Sequence, residues 1–262
     1  MLDTPGGRPY TSDMGTLMPS AGIVTAIDDL VAANRILAHE GVLDAFGHVS
    51  IRHPADPGRY FLSRSRSPEL VEADDIMEFA LDGTALDDDR TPYNERFIHG
   101  AIYELRPEIH AVVHSHAEAV LPFTIVKAPL VPVIHVASCI GEHVPVWDIR
   151  DRFGDTNLQV KTMEQGRDLA NALSPNDRVA LMRGHGFAAA GRSLLEVVRI
   201  AVYLPQNARV FTEASRMGAV TPLSAGEIRE RTSGPIDPPE YQRAWEYWLR
   251  RAGVSSPRRG LS

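Results

Sequence analysis

The residues with the clearest chemical potential are histidines. His114 and His116 flank Ser115 at the end of the apolar run Ala111-Val112-Val113. In an extended strand, residues i and i+2 project from the same face. Both imidazoles then enter one space, about 7 Å apart along the backbone, a spacing that suits two ligands of a single metal ion. The competing reading is one core and one exposed histidine on an ordinary strand, but two unpaired imidazoles buried side by side are unfavourable. His185 follows a second apolar run and lies between Gly184 and Gly186. Those glycines either mark a turn or let the backbone carry a third imidazole to the site. Glu95 begins a predicted helix, where the dipole favours any carboxylate. If the chain returns antiparallel into the 111–116 strand, Glu95 reaches the histidine pair as a ligand or a general acid/base.

These groups need elements to hold them. Residues 1–20 read as a flexible arm, rich in Gly, Pro, Ser and Thr. Helical spacing of Ile23, Ile27, Leu30, Val31 and Leu37 predicts a helix over 21–40 that stops at Gly41. Short apolar runs at 49–52, 60–63 and 76–81 predict strands, the last entering an Asp82-Gly83 hairpin turn. A second helix is expected over 95–106, capped by Asn94, with Phe97, Ile98, Ala101, Ile102 and Leu105 as its buried stripe and Pro107 after its end. Then come the 111–116 strand, an extended stretch over 131–137, a helix over 165–173 and a strand over 178–182 that delivers His185. Ser193 opens a long helix that Pro205 should kink or interrupt. Four prolines and two glycines make 219–240 read as a long loop. A short aromatic helix with Tyr241, Trp245 and Trp248 follows, and this 219–262 tail should pack on the domain or on a neighbouring subunit. The pattern fits one α/β domain over 21–218.

Composition narrows the function classes. At 262 residues, with 44% hydrophobic and 23% charged residues, the chain has enough apolar material for a sizeable core. A net charge of -7 argues against nucleic acid or an anionic membrane as partner. No apolar stretch approaches the roughly 20 residues that span a bilayer, and the first residues do not resemble a signal peptide. Cys139 is the single cysteine, which excludes an intrachain disulfide and fits a cytoplasmic protein. With no basic cluster nearby, it reads as an inert buried thiol. Of the other histidines, His99 on the second helix reads as a hydrogen-bonded core residue.

Four separated motifs in order resemble the class II aldolase/adducin family from about Ile23 to Ala214. They are Gly47-His48-Val49-Ser50, then Asn94-Glu95-Arg96-Phe97-Ile98-His99, His114-Ser115-His116 and Gly184-His185-Gly186. The resemblance implies a three-layer α/β/α sandwich with a largely antiparallel central sheet, forming the catalytic domain over 21–218. It implies one divalent metal ion (zinc, manganese or iron) on His114, His116 and His185, with Glu95 as the acid/base carboxylate. It also implies a homotetramer with active sites at subunit contacts.

The departures are informative. Sugar-phosphate aldolases of this family hold the phosphate with a Gly-Asn-x-Ser motif, a Thr/Ser-Gly turn and two serines before the glutamate. Here the asparagine is His48, followed by Ser50. The turn region is Ser63-Arg64-Ser65-Arg66-Ser67, and the serine pair is Tyr93-Asn94. Arg64 and Arg66 either solvate a loop or grip a carboxylate. These changes resemble the family's metal-dependent decarboxylases of hydroxylated aromatic or heteroaromatic carboxylates. That branch implies a small carboxylate substrate bound by Ser50, Ser63, Arg64, Ser65, Arg66, Tyr93 and Asn94. His48 would be catalytic beside Glu95, donating a hydrogen bond or proton, and Phe61, Tyr93 and Trp245 or Tyr247 would edge an aromatic pocket. The alternatives are a sugar-phosphate aldolase, a non-haem iron oxygenase and a non-catalytic adducin-like module; such modules need not keep metal ligands.

Overall fold

The computed structural model describes residues 21–254, so the arm expected over 1–20 lies outside the described residues. The elements are α1 (Ala21–His39), β1 (His48–Arg52), β2 (Arg59–Ser63), β3 (Ile76–Ala80), α2 (Arg96–Leu105), β4 (Ala111–Ser115), α3 (Leu121–Ile125), β5 (Val146–Trp147), α4 (Arg150–Phe153), α5 (Met163–Asn171), β6 (Val179–Met182), β7 (Gly186–Gly191), α6 (Leu194–Met217), α7 (Ala225–Thr232) and α8 (Pro239–Arg251). Seven strands form one sheet in the order β3-β2-β1-β4-β7-β6-β5, antiparallel except where β5 meets β6.

Alternation along the strands builds two cores. Val49 and Ile51 of β1, Val113 of β4 and Phe187 and Ala189 of β7 pack with α1, α6 and α8. Val112, Ala188 and Ala190 face α2 and α5 on the other side. This is the expected three-layer sandwich. The fully buried β1 and β4 lie side by side at its centre, with His48 opposite His114. No helix among the described residues is long and apolar enough to cross a membrane.

Several local expectations change. The 131–137 stretch is not a strand: Asn207 of α6 takes the Val133 amide and donates to the Val131 carbonyl, both at 2.8 Å, and a 3-10 helix follows over His135–Ile140. Pro205 does not interrupt α6, which runs 24 residues; burial on both sides of the proline outweighs its missing hydrogen bond. Ser193 caps that helix, as expected, accepting from the Glu196 amide. Residues 219–240 are not wholly loop, because Ser224 and Glu227 form a reciprocal capping box that starts α7. The Asp82-Gly83 turn forms, but the chain returns through one isolated bridge, Phe79 to Ala85.

At α2, Glu95 rather than Asn94 occupies the N-cap; Asn94 is exposed. Leu105 is 42% exposed, and Tyr103 takes its place in the buried face. The aromatic α8 forms as expected, with Tyr241, Trp245 and Trp248 inside this chain's own core. Trp245 is therefore not available to a neighbour's pocket, and Phe61 packs in the same core with its ring beside His53, on the opposite face of the sheet from His114.

Candidate metal centre

Each ligand candidate comes from the end of an element. His114 is the last residue but one of β4, on the α2 face, and His116 lies just past the strand end. His185 sits in the tight turn between β6 and β7. That turn depends on its glycines in two ways. Gly184 has φ +65°, a left-handed conformation unfavourable for most side chains. At Gly186 a Cβ would lie 2.1 Å from the Ser115 carbonyl oxygen, so only glycine lets β7 approach β4 this closely.

Glu95, His114, His116 and His185 each direct one ligand atom into a common space, all within 4.8 Å of one another. Nε2 of His116 is 3.0 Å from Nε2 of His114 and 3.2 Å from that of His185. Glu95 Oε2 lies 3.5 Å from His114 and 3.6 Å from His185. The tautomer of His114 follows from its other side: Nδ1 is 3.1 Å from the Phe187 carbonyl oxygen, which can only accept, so Nδ1 carries the proton. Its Nε2 therefore presents a lone pair.

Burial, with the nearby His114, lowers both His116 and His185 to about 4, so neither ring holds a second proton at neutral pH. Burial pushes the Glu95 carboxyl up, but His114, His185 and the Val160 amide more than offset it and leave it at about 2. That amide donates to Oε1 at 3.0 Å and fixes the carboxylate. Three imidazole nitrogens and one carboxylate oxygen thus converge on one space. A divalent cation fits this N3O set, and zinc, manganese or iron all accept such ligands.

His48 stands beside the cluster, its ring centroid 5.1 Å from that of His114 and 4.5 Å from that of Tyr93. The Tyr93 hydroxyl donates to the Arg66 carbonyl and lies 3.3 Å from Ser63 Oγ, linking the centre to the 63–67 loop. Arg64 Nε binds Asp75 Oδ1 at 2.7 Å, and Arg66 Nη1 binds Asp75 Oδ2 at 2.8 Å. Asp75 is buried and holds both guanidinium groups, yet each uses only one nitrogen on it. Ser65 and Asn94 are exposed.

Ser50 is placed differently from the expected substrate contact. It is fully buried, with Oγ 2.6 Å from His99 Nδ1 and 2.8 Å from the Tyr103 hydroxyl. Reading the sequence missed Asp75 and assigned His99 only a core role. The signal for His99 was present, since it lies four residues after Glu95 and so on the same face of α2. Cys139 is buried and free, as expected.

The pattern of folds and motifs has counterparts. The family model for the class II aldolase and adducin N-terminal domain matches residues 28–212. Decarboxylase tropJ of Talaromyces stipitatus is 32% identical over 242 residues, covering 84% of this chain and 91% of that protein. The 3,4-dihydroxyphthalate decarboxylase of Arthrobacter keyseri is 27% identical over 222 residues, covering 78% of this chain and 85% of that one. In fold, the crystal structure of an aldolase II superfamily protein from Pseudomonas syringae superposes with a TM-score of 0.74 at 20% identity, over 89% of this chain and 94% of that one. With its sandwich, its four motifs and a match across most of its length, this chain belongs to the class II aldolase/adducin family.

Proposed function

We propose that the chain is a metal-dependent carbon–carbon lyase that decarboxylates a hydroxylated aromatic or heteroaromatic carboxylate. The observation that carries this reading is the N3O cluster set beside His48 and a loop with two arginines, where aldolases of the family carry a phosphate cradle. The similarity to two decarboxylases supports it. A divalent ion held by His114, His116 and His185, with Glu95 as a further ligand until substrate displaces it, would supply Lewis acidity to a hydroxyl and a carboxylate on neighbouring carbons.

The remaining steps belong to the protein. Glu95, ionised in the free site, accepts the substrate's hydroxyl proton. Glu95 then returns the proton to the ring carbon that bears the carboxylate, giving a ketone that can take up electrons. As carbon dioxide leaves, the electrons of the broken bond restore the conjugated ring and its anionic oxygen, and the oxygen regains a proton from solvent. His48 contacts the substrate's anionic oxygen. The guanidinium nitrogens of Arg64 and Arg66 not used on Asp75 take a further carboxylate, with Ser63, Ser65, Tyr93 and Asn94 around them. We read the assembly as a homotetramer, which light scattering tests directly.

Glu95→Gln keeps the volume and the bond to the Val160 amide but removes the base. Turnover should fall by about 10²–10⁴, measured as carbon dioxide from ortho-hydroxy aromatic carboxylates with zinc, manganese or iron added. Parent turnover in this variant would overturn the assignment. Aldehyde from sugar phosphates without carbon dioxide would make the chain an aldolase, and iron-dependent oxygen uptake an oxygenase.

A further inference from the structure

Behind His48 lies a buried row of polar groups that the reaction above does not use. His48 Nδ1 is 2.6 Å from His99 Nε2, His99 Nδ1 is 2.6 Å from Ser50 Oγ, and Ser50 Oγ is 2.8 Å from the Tyr103 hydroxyl. His99 and Ser50 are fully buried, Tyr103 is 1% exposed and His48 3%. β1 supplies His48 and Ser50 on one face, and α2 supplies His99 and Tyr103 one turn apart, so each contact joins strand to helix.

We propose that His99 is a positioning residue that, with Ser50 and Tyr103 behind it, locks His48 as the Nε2–H tautomer, making it a fixed hydrogen-bond donor into the metal site rather than a further metal ligand.

The argument is a count of protons. His48 and His99 are buried against histidine, serine and tyrosine, with no carboxylate within hydrogen-bond distance to hold a second proton, so each ring carries one proton. Three contacts join four groups with one proton each, so one proton is left over. If every group donates toward His48, Tyr103 donates to Ser50, Ser50 to His99 Nδ1, and His99 Nε2 to His48 Nδ1. The proton left over then sits on His48 Nε2. That atom has no hydrogen-bond partner among the described residues and is not one of the buried orphaned nitrogens, so it opens into the site. If every group donates the other way, the proton left over is the Tyr103 hydroxyl's, which has no other acceptor among the described residues. A mixed order, with His99 and Tyr103 both donating to Ser50, strands the Ser50 proton in the same way. Only the first arrangement leaves no buried hydroxyl proton without an acceptor.

A donor fixed in this way suits an anionic oxygen of the substrate, a use that rests on the function proposed above; the tautomer itself does not. The two are tested separately. Long-range 1H–15N spectra of histidine-labelled full-length protein, metal-free and zinc-loaded, report the proton's place, with His48 assigned from its loss in His48→Gln. The expected result is His48 protonated at Nε2 in both states. In His99→Phe the His48 signals should become those of mixed tautomers, and His99→Gln, which restores an N–H donor, should recover the single form. Ser50→Ala serves if His99→Phe does not fold. A proton on His48 Nδ1 in the parent, or a single Nε2–H form surviving in His99→Phe and Ser50→Ala, would overturn the proposal. In turnover, His99→Phe should raise KM tenfold or more with zinc affinity unchanged, and His99→Gln should reverse much of this. If the tautomer is as expected but KM does not move, the lock stands and the proposed substrate contact fails.

Discussion

The approach of β7 to β4 at Gly186 offers a sharp test of how the centre is assembled. A methyl group in Gly186→Ala would meet the Ser115 carbonyl oxygen at 2.1 Å and His116 Cδ2 at 3.2 Å. Real contacts of this kind do not fall below 3.0 Å, so the two backbones must part by about 0.9 Å. The displaced segment adjoins His185, and the strand it leaves carries His114. The 3.2 Å separation of the His116 and His185 nitrogens should widen by a similar amount. Metal–ligand distances tolerate only about 0.2 Å. Loss of His185 as a well-placed ligand should therefore lower zinc affinity by about 10–100-fold, and turnover by about 10²-fold at saturating metal. Overpacking of this kind also costs about 1–3 kcal/mol of stability. Competition with a chelating dye gives the affinity, carbon dioxide release the turnover, and thermal melting of the metal-free protein the stability. Gly184→Asn is the comparison, because asparagine tolerates φ +65° and the nearest atom to its Cβ is 3.9 Å away. It should keep metal affinity within a few-fold of the parent. Parent affinity and turnover in Gly186→Ala would refute the idea that this backbone contact positions His185.

Two further outcomes follow from buried groups. Burial raises the Asp75 carboxyl, but the Glu72 amide, Arg64 and Arg66 together bring it below its ordinary 3.8. Because the folded value is depressed, its stabilisation is complete above pH 3.8 and is lost as pH falls through the folded value. Melting temperature should fall more steeply in the parent than in Asp75→Asn below pH 4, while at pH 7 the variant should be about 1–2 kcal/mol less stable, the half-exposed arginines being screened. Equal slopes at acid pH would count against the pairing. Burial also pushes the Cys139 thiol up to about 11, so a thiol reagent at pH 8 should label it only when the protein unfolds.

What could be read in the sequence was what depends on period and spacing. β1, β2, β3, β4 and β6 follow from apolar runs, and α2 and α6 from their stripes and breakers. β7 escaped because Gly186-Phe187-Ala188-Ala189-Ala190-Gly191 has almost no strand propensity. It is a strand because it lies between β4 and β6, where small side chains permit close approach. The 131–137 stretch failed for a similar reason, since its fate is set by Asn207, more than 70 residues away. For α7 the signal was local, the Ser224 and Glu227 box, and the prolines around it outweighed it in the reading. The candidate metal ligands were legible because period-two geometry put His114 and His116 together and the glycines marked His185. The arginine loop was legible in kind only: nothing near Arg64 and Arg66 in sequence distinguishes Asp75 from Asp74, yet Asp75 is the one buried between them.

That pairing bears on how the site selects its substrate. Two guanidinium groups on one buried carboxylate leave the loop with one net positive charge and with nitrogens still unused. An arginine held in place by Asp75 has already lost much of its side-chain freedom, so gripping a carboxylate costs less than it would for a free surface arginine. The same reasoning applies to His48, whose ring is fixed from behind by His99. On the proposed function, His48 at one end and Arg64 and Arg66 at the other would face the substrate as a donor and cations, each braced by a buried partner. Such a site favours a ligand with rigid, planar negative charge at two ends over a flexible phosphate, which is the difference between a dicarboxylated ring and a sugar phosphate.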